Sequence, residues 1–312
     1  VIGCGPTEDA GGGEVDGDRL SIAVIPKGTT HEFWKTVEAG AVKAAGELDV
    51  DITWKGPLKE DDLAEQIKVV DDFISRGVDG ICLAPLDSKG LRKPIADSVS
   101  SDIPVVIFDS GIEDSEITSF VATDNYVGGE KAGQKMAELV GEGGKVIVLR
   151  YLEASASTNL REEGFLAAAK AAGLEVLSDE QYAGATADEA RQAADQLIQR
   201  FQQGDGIEAD GIFCPNESSA VGMLRALQQA GVAGKVKFIG FDSSSKLLEG
   251  LNAGEIDALV VQDPFNMGYL TVKTMVAHLK GETVDGRIDT GSTLVTLDNI
   301  EEAEIKALLG LE

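Results

Sequence analysis

Basic residues, histidine, cysteine and aromatics are all scarce in this chain of 312 residues. Lys and Arg total 27 against 54 Asp and Glu, a formal net charge of −27 at pH 7. So acidic a chain repels phosphate backbones, and no stripe of Lys and Arg gathers anywhere, which argues against nucleic acid as a partner. Two histidines and three cysteines leave little from which to build a zinc site. No metal and no cofactor is expected. No apolar run approaches the roughly 20 residues that span a bilayer. Phosphate-binding Gly-x-x-x-x-Gly-Lys-Ser/Thr loops, Gly-x-Ser-x-Gly elbows and His-Glu-x-x-His helices are missing as well. The one glycine-rich stretch in the right company, Gly141-Glu142-Gly143-Gly144, precedes a strand instead of following one, so it reads as a turn and not as a dinucleotide fingerprint.

What the chain does have is an ordinary globular balance, 43% hydrophobic and 26% charged, and a length that suggests about two domains. Cys82, in Gly80-Ile81-Cys82-Leu83-Ala84, and Cys214, in Gly211-Ile212-Phe213-Cys214-Pro215, read as small buried hydrophobes on strands. Cys4 differs. It ends Val1-Ile2-Gly3-Cys4, and the stretch up to Asp18 that follows is glycine-rich and acidic with almost nothing to bury, so residues 1–18 read as a flexible tether. The Val-Ile-Gly-Cys string resembles the end of a bacterial lipoprotein signal, which makes Cys4 the expected site of lipidation.

From Leu20 onward, short β-rich runs alternate with amphipathic stretches. Strands are expected at Leu20–Ile25, Val50–Trp54, Val78–Leu83 and Pro104–Phe108, with helices at Glu32–Leu48, Asp61–Ser75 and Leu91–Val99 between them. The pattern then restarts, with strands at Lys145–Leu149, Glu175–Leu177, Gly211–Cys214 and Val236–Phe241 and helices at Arg161–Ala172, Asp188–Phe201 and Ser219–Ala230. A strand at Ile256–Val261, a helix at Asn266–Lys280 and a strand at Ser292–Thr296 close the chain. Alternation of this kind predicts an α/β fold with parallel sheets covered on both faces. Local strings repeat in register. Val78-Asp79-Gly80-Ile81 returns as Ala209-Asp210-Gly211-Ile212, and Val106-Ile107-Phe108-Asp109-Ser110 as Ile239-Gly240-Phe241-Asp242-Ser243. Two copies of one α/β unit follow.

Ligands of open parallel sheets bind beyond the carboxyl ends of the strands. Residues just after strands there include Asp109, Asp242, Asn216, Gln262 and Arg161, with His31 and the adjacent aromatics Phe33 and Trp34. Carboxylate, amide and guanidinium groups suit the hydroxyls of a polyol, and rings cover its C–H faces. Each residue alone has a second reading. Asp109 and Asp242 could cap helices, Arg161 could be a solvated helix charge, one of Phe33 and Trp34 could be core, and His31 could be a turn residue.

As a set, the strings resemble the ribose-type periplasmic sugar-binding proteins of ABC importers, from about Arg19 to about Leu297. They are Ile22-Ala23-Val24-Ile25 leading to Phe33-Trp34; Gly77-Val78-Asp79-Gly80-Ile81; Ile103-Pro104-Val105-Val106 ending at Asp109; Ala122-Thr123-Asp124-Asn125-Tyr126-Val127-Gly128-Gly129; Arg161-Glu162-Glu163-Gly164-Phe165; Asn216-Glu217; Gly240-Phe241-Asp242; and Val261-Gln262-Asp263-Pro264. The resemblance implies that Phe33 and Trp34 stack on a sugar and that Asp109, Arg161, Asn216, Asp242 and Gln262 bond its hydroxyls. It places His31 where the family often has an asparagine. Departures are Ser110, where arginine often follows the aspartate; Ala183-Gly184-Ala185, where an aromatic often covers the second sugar face; and Lys27 after the first strand. Lys27 and Ser110 therefore join the expected ligand set.

The resemblance implies a type I periplasmic-binding-protein fold, two Rossmann-like lobes joined by a multi-strand hinge. The first lobe is expected to hold 19–123 plus 263–290 and the second 124–262 plus 291–312. The implied protein is a monomer that is no enzyme. It captures a monosaccharide or related polyol between its lobes and delivers it to an ABC permease, from the periplasm or the outer face of the cytoplasmic membrane, held there through Cys4. Other classes remain. A repressor of this fold would need a basic helix-turn-helix, which 1–18 lack; a glycosidase would turn its sugar over; and a ligand-presenting subunit for a receptor kinase would read the same. Lys27, Lys55 and Arg161 leave an acidic sugar or other anion open as the ligand if the two lysines point into the cleft.

Overall fold

The computed structural model describes residues 19–311, so Cys4 and the expected tether lie outside the described residues. In chain order the elements are β1 (Ser21–Ile25), α1 (Glu32–Leu48), β2 (Asp51–Trp54), α2 (Leu63–Arg76), β3 (Gly80–Leu83), α3 (Arg92–Ser100), β4 (Val105–Phe108), β5 (Ser119–Ala122), α4 (Asn125–Val140), β6 (Lys145–Val148), α5 (Ala156–Ala171) and β7 (Glu175–Ser178). They continue with α6 (Ala187–Arg200), β8 (Gln202–Gln203), β9 (Gly206–Ile207), β10 (Gly211–Phe213), α7 (Glu217–Ala230), β11 (Lys237–Phe241), α8 (Ser245–Asn252), β12 (Ala258–Gln262), α9 (Pro264–Leu279), β13 (Arg287–Asp289), β14 (Ser292–Val295) and α10 (Ala303–Leu309).

Two six-stranded sheets result, ordered β13-β5-β4-β3-β1-β2 and β14-β12-β11-β10-β6-β7. Within them every pairing is parallel except that of β12 with β14. The order β2-β1-β3-β4-β5 thus recurs as β7-β6-β10-β11-β12, and the repeat in the sequence is a repeat of topology. Central strands such as β3 and β4 are buried at every residue, as parallel strands sandwiched between helices must be. Successive residues serve opposite faces. Ala23, Ile25, Ile81 and Leu83 pack under α2 and α3, while Ile22, Val24, Cys82 and Val106 pack under α1 and α9.

The repeated Asp-Gly strings do the same work twice. Asp79 accepts the backbone N–H of Ser21 at 2.7 Å, and Asp210 that of Lys145 at 2.8 Å, each tying the entry of one strand to its neighbour. The glycine that follows admits a methionine: a Cβ at Gly80 would stand 2.5 Å from the sulfur of Met275, and at Gly211 2.3 Å from that of Met136. Those methionines belong to α9 and α4, which exchange places. α4 leaves the first sheet and covers the second, and α9 leaves the second and covers the first. The chain passes between the sheets after β5, after β12 and between β13 and β14.

Cys82 and Cys214 are free and buried, in separate clusters, and burial pushes both thiols up. Elements absent from the sequence reading are β5, α4, α8, β13, α10 and the β8–β9 hairpin. α5 also starts at Ala156, five residues before the expected Arg161. None of the described helices is long and apolar enough to cross a membrane.

Candidate ligand-binding cleft

Where the carboxyl ends of the two sheets face each other, nine of the ten expected ligand residues line one small space: Lys27, His31, Phe33, Trp34, Asp109, Arg161, Asn216, Asp242 and Gln262. Ser110 does not. It is fully buried and its Oγ accepts the backbone N–H of Ser157 at 3.0 Å, so it serves the start of α5 instead of the cleft. Free volume in the closed cleft is only about 20 Å³, room for about one water molecule.

Asp109 and Asp242 occupy equivalent positions, at the ends of β4 and β11. Both take the left-handed conformation, at φ 60° and 69°, and each donates its backbone N–H to the next strand, to Val121 at 3.0 Å and to Val260 at 2.8 Å. A non-glycine residue held there signals a constraint from function or packing. Neither caps the helix that follows it. Asp109 Oδ2 lies 2.9 Å from Lys27 Nζ, which also donates to Ser157 Oγ at 3.0 Å and so spans the two lobes. Asp242 accepts Gln262 Nε2 at 2.6 Å and the backbone N–H of Glu217, first residue of α7, at 2.9 Å. Burial pushes the Asp242 carboxyl up, while Arg161 and Gln262 pull it the other way.

Arg161 is held rather than solvated. Its Nε donates to Asn125 Oδ1 at 2.8 Å and its Nη1 to Pro215 O at 3.0 Å, and its guanidinium lies 4.0 Å from the Phe241 ring centroid. Asn216 is the N-cap of α7, where it exchanges hydrogen bonds with Ser219. Gln262 Oε1 is buried with no partner among the described residues. Phe33 and Trp34 both pack into the core and both border the cleft, edge to face with centroids 4.9 Å apart. Lys55 points away: it pairs with Asp72 at 3.0 Å on the surface of α2.

Sequence reasoning missed Glu60, Ser157, Thr158 and Glu217 on the cleft wall, and Tyr151 behind it. Glu60 accepts three donors: His31 Nδ1 at 2.7 Å, Trp34 Nε1 at 2.7 Å and, from the second lobe, Tyr151 Oη at 3.1 Å. Burial opposes its charge, but His31 and Lys27 outweigh burial and hold the carboxyl at about 2. Burial likewise opposes charge on His31, and Glu60 overrides it, raising the imidazolium to about 9. In sequence, Glu60 sits in Lys59-Glu60-Asp61-Asp62, which looks like a solvated charge run; nothing local marks it.

The Periplasmic binding protein domain model matches residues 22–283. The chain is 29% identical over 271 residues to the ribose import binding protein of Haemophilus influenzae, covering 87% of this chain and 89% of that one. It superposes on an ABC transporter solute-binding protein of Agrobacterium vitis solved with bound D-fucose, at a TM-score of 0.87 and 36% identity, over 92% of this chain and 98% of that one. A carbohydrate transporter solute-binding protein of Agrobacterium radiobacter, in complex with D-arabinose, gives a TM-score of 0.85 and 36% identity over 93% of this chain and 99% of that one. Matched from β1 through α9, and so through the first two crossings between the sheets, the chain belongs to the periplasmic binding protein family.

Proposed function

We propose that this protein is a sugar-binding component of an ABC importer, working in the periplasm, and that its ligand is a neutral monosaccharide or related polyol held by Lys27, His31, Phe33, Trp34, Asp109, Arg161, Asn216, Asp242 and Gln262. It binds and hands over its ligand and is no enzyme. One observation carries the choice of a neutral ligand. All three cations of the cleft already have a carboxylate: Lys27 has Asp109, His31 has Glu60, and Arg161 Nη1 lies 3.9 Å from Asp242. An anion would find no uncommitted positive charge, and Lys55 is elsewhere. Hydroxyls need none. They can bridge charges that are paired, donating to the carboxylates and to Gln262 Oε1.

A cleft with room for about one water admits a sugar only by opening. On this reading the lobes, 19–123 plus 263–290 and 124–262 plus 291–312, part and close about the three crossings, as hinged binding proteins do. We also read the protein as a monomer without affinity for nucleic acid, tethered through lipid on Cys4. The last reading rests on the Val1-Ile2-Gly3-Cys4 string and its spacer, and requires Cys4→Ala to move the protein from membranes to the soluble fraction.

Titration calorimetry with ribose, D-fucose, D-arabinose and D-galacturonate tests the ligand class, together with mass spectrometry of whatever the denatured protein releases. At least one neutral sugar should bind. Binding of galacturonate alone would return the anionic reading.

A further inference from the structure

We propose that Glu60, in the segment joining β2 to α2, is a positioning residue for the ligand: it fixes the His31 ring as a two-proton donor whose Nε2–H is offered to an acceptor oxygen of the sugar, and through Tyr151 it ties that ring to the second lobe. This rests on the reading of the cleft as a sugar site. His31 has one hydrogen-bonded partner, Glu60, on Nδ1. Nε2 has none among the described residues, and the ring borders the cleft. An imidazole with a carboxylate on one nitrogen keeps a proton there and presents the other nitrogen outward.

Three observations make Glu60 more than a packing residue. Both its oxygens are used, and every donor to them comes from the cleft wall or from the opposite lobe. The Trp34 Nε1–H is drawn onto the carboxylate, which sets the indole plane next to Phe33. The Tyr151 hydroxyl reaches it only when the lobes are together, so the His31 ring is locked last, on closure. An imidazolium donates and cannot accept. The ligand atom it meets must therefore offer a lone pair, as a ring oxygen or an accepting hydroxyl does. The asparagine that the resemblance puts at that place would both donate and accept, so the constraint comes from the ring.

The charged groups facing His31 are Glu60, Glu217 and Asp242, and Lys27, Asp109 and Arg161 line the same space. Glu60 is the one in contact. With it in place the ring stays protonated through neutral pH, up to about 9. Without it, burial acts on the ring with only the more distant carboxylates opposing, and the ring loses its second proton near or below the usual 6.5. Affinity should then fall as pH rises, where in the parent it is level.

The chain has two histidines, and His278 is exposed on α9. In a His278→Gln background the single remaining imidazole can be followed by NMR. It should titrate near 9 in the parent and drop toward about 6.5 in Glu60→Gln. Binding of ribose, D-fucose and D-arabinose is measured alongside, from about pH 5.5 to about pH 8.5, spanning the usual histidine range. For whichever sugar binds, the parent profile should be level up to pH 8. Glu60→Gln should bind about ten- to several-hundred-fold weaker at pH 8 and recover part of that loss at pH 5.5. Glu60→Asp should keep the level profile. In His31→Asn, which carries no titrating ring, adding Glu60→Gln should bring no pH dependence. A parent ring titrating near 6.5, or equal and level binding profiles for parent and Glu60→Gln, overturns the role of Glu60. A parent that binds none of the three sugars overturns the ligand reading instead, and the NMR arm still decides the His31–Glu60 pair.

Discussion

Asp109 shows how a residue's neighbours change what its removal should do. Read in sequence, it is a carboxylate at the end of a strand, free to meet a hydroxyl. In the folded chain it is 3% exposed and shares a 2.9 Å ion pair with an equally buried Lys27. Stripping one partner from such a pair leaves a charge without water or counter-ion, which is costly. The cost here belongs to the closed form, because Lys27 also reaches Ser157 across the cleft and regains water once the lobes part. A hydrogen bond to a charged group contributes about 1.5–3 kcal/mol, and 1.4 kcal/mol is tenfold in affinity. Asp109→Ala and Asp242→Ala should each weaken sugar binding by roughly ten- to several-hundred-fold. The ligand-free melting temperature should barely move in Asp109→Ala and should fall in Asp242→Ala, because Gln262 and the Glu217 N–H, which lose their partner, belong to the same lobe as Asp242. Calorimetry and a melting curve on each variant decide this. Retained affinity in both would place the sugar elsewhere.

Three helices at the lobe boundary lack a side-chain cap of their own and take one from the opposite lobe. The N-caps of α1, α5 and α8 are His31, Ser155 and Ser244, and none caps its helix. Instead Glu217 accepts the N–H groups of Glu32 and Phe33 at 3.3 and 3.1 Å, Ser110 that of Ser157 at 3.0 Å, and Glu32 that of Ser245 at 2.9 Å. By contrast, α2, α4, α6, α7 and α9 are capped by their own Asp62, Asp124, Thr186, Asn216 and Asp263. On the proposed closure, helix ends are completed along with the proposed binding site. Glu32 does not line the cleft, so it tests closure alone. A cap contributes about 0.5–2 kcal/mol, so Glu32→Ala should weaken sugar binding by about 2- to 30-fold. Small-angle scattering should show a more open ligand-free form. An unchanged affinity would remove the cross-lobe cap from the account of closure. The same elements explain what was legible. β3, β4 and β10 are continuous apolar runs, β1 and β11 are apolar after Ser21 and Lys237, and the ends of β4 and β11 locate Asp109 and Asp242 without a structure. α4 is hidden because Gly128, Gly129 and Gly133 lower its helix propensity, and the start of α5 because Ser155-Ala156-Ser157-Thr158-Asn159 is small and polar and gives no apolar periodicity. Glu60 is illegible for a different reason: its three donors come from Phe33's neighbours and from Tyr151, 91 residues away, and its meaning exists only once both lobes are folded and together.

At the scale of the whole molecule the dominant fact is charge. The formal net charge is −27 at pH 7, spread over a chain whose cleft cations are all internally paired. Such a field repels anions over roughly a Debye length, about 10 Å at 0.1 M salt and about 30 Å at 0.01 M, and it slows their approach most when salt is low. A neutral sugar feels neither effect, and the ion pairs it meets lie buried, where salt screens little. Affinity for the neutral sugar should therefore change by less than about twofold between 0.01 M and 0.5 M sodium chloride. A ligand carrying a carboxylate should behave oppositely, binding more tightly as salt rises and the repulsion is screened. Titrations of the same protein at the two salt concentrations, with the bound sugar and with galacturonate, separate the cases. A sugar affinity that climbs steeply with salt would mean that the species being bound is the anion, and that the pairing of Lys27, His31 and Arg161 is broken on binding rather than preserved.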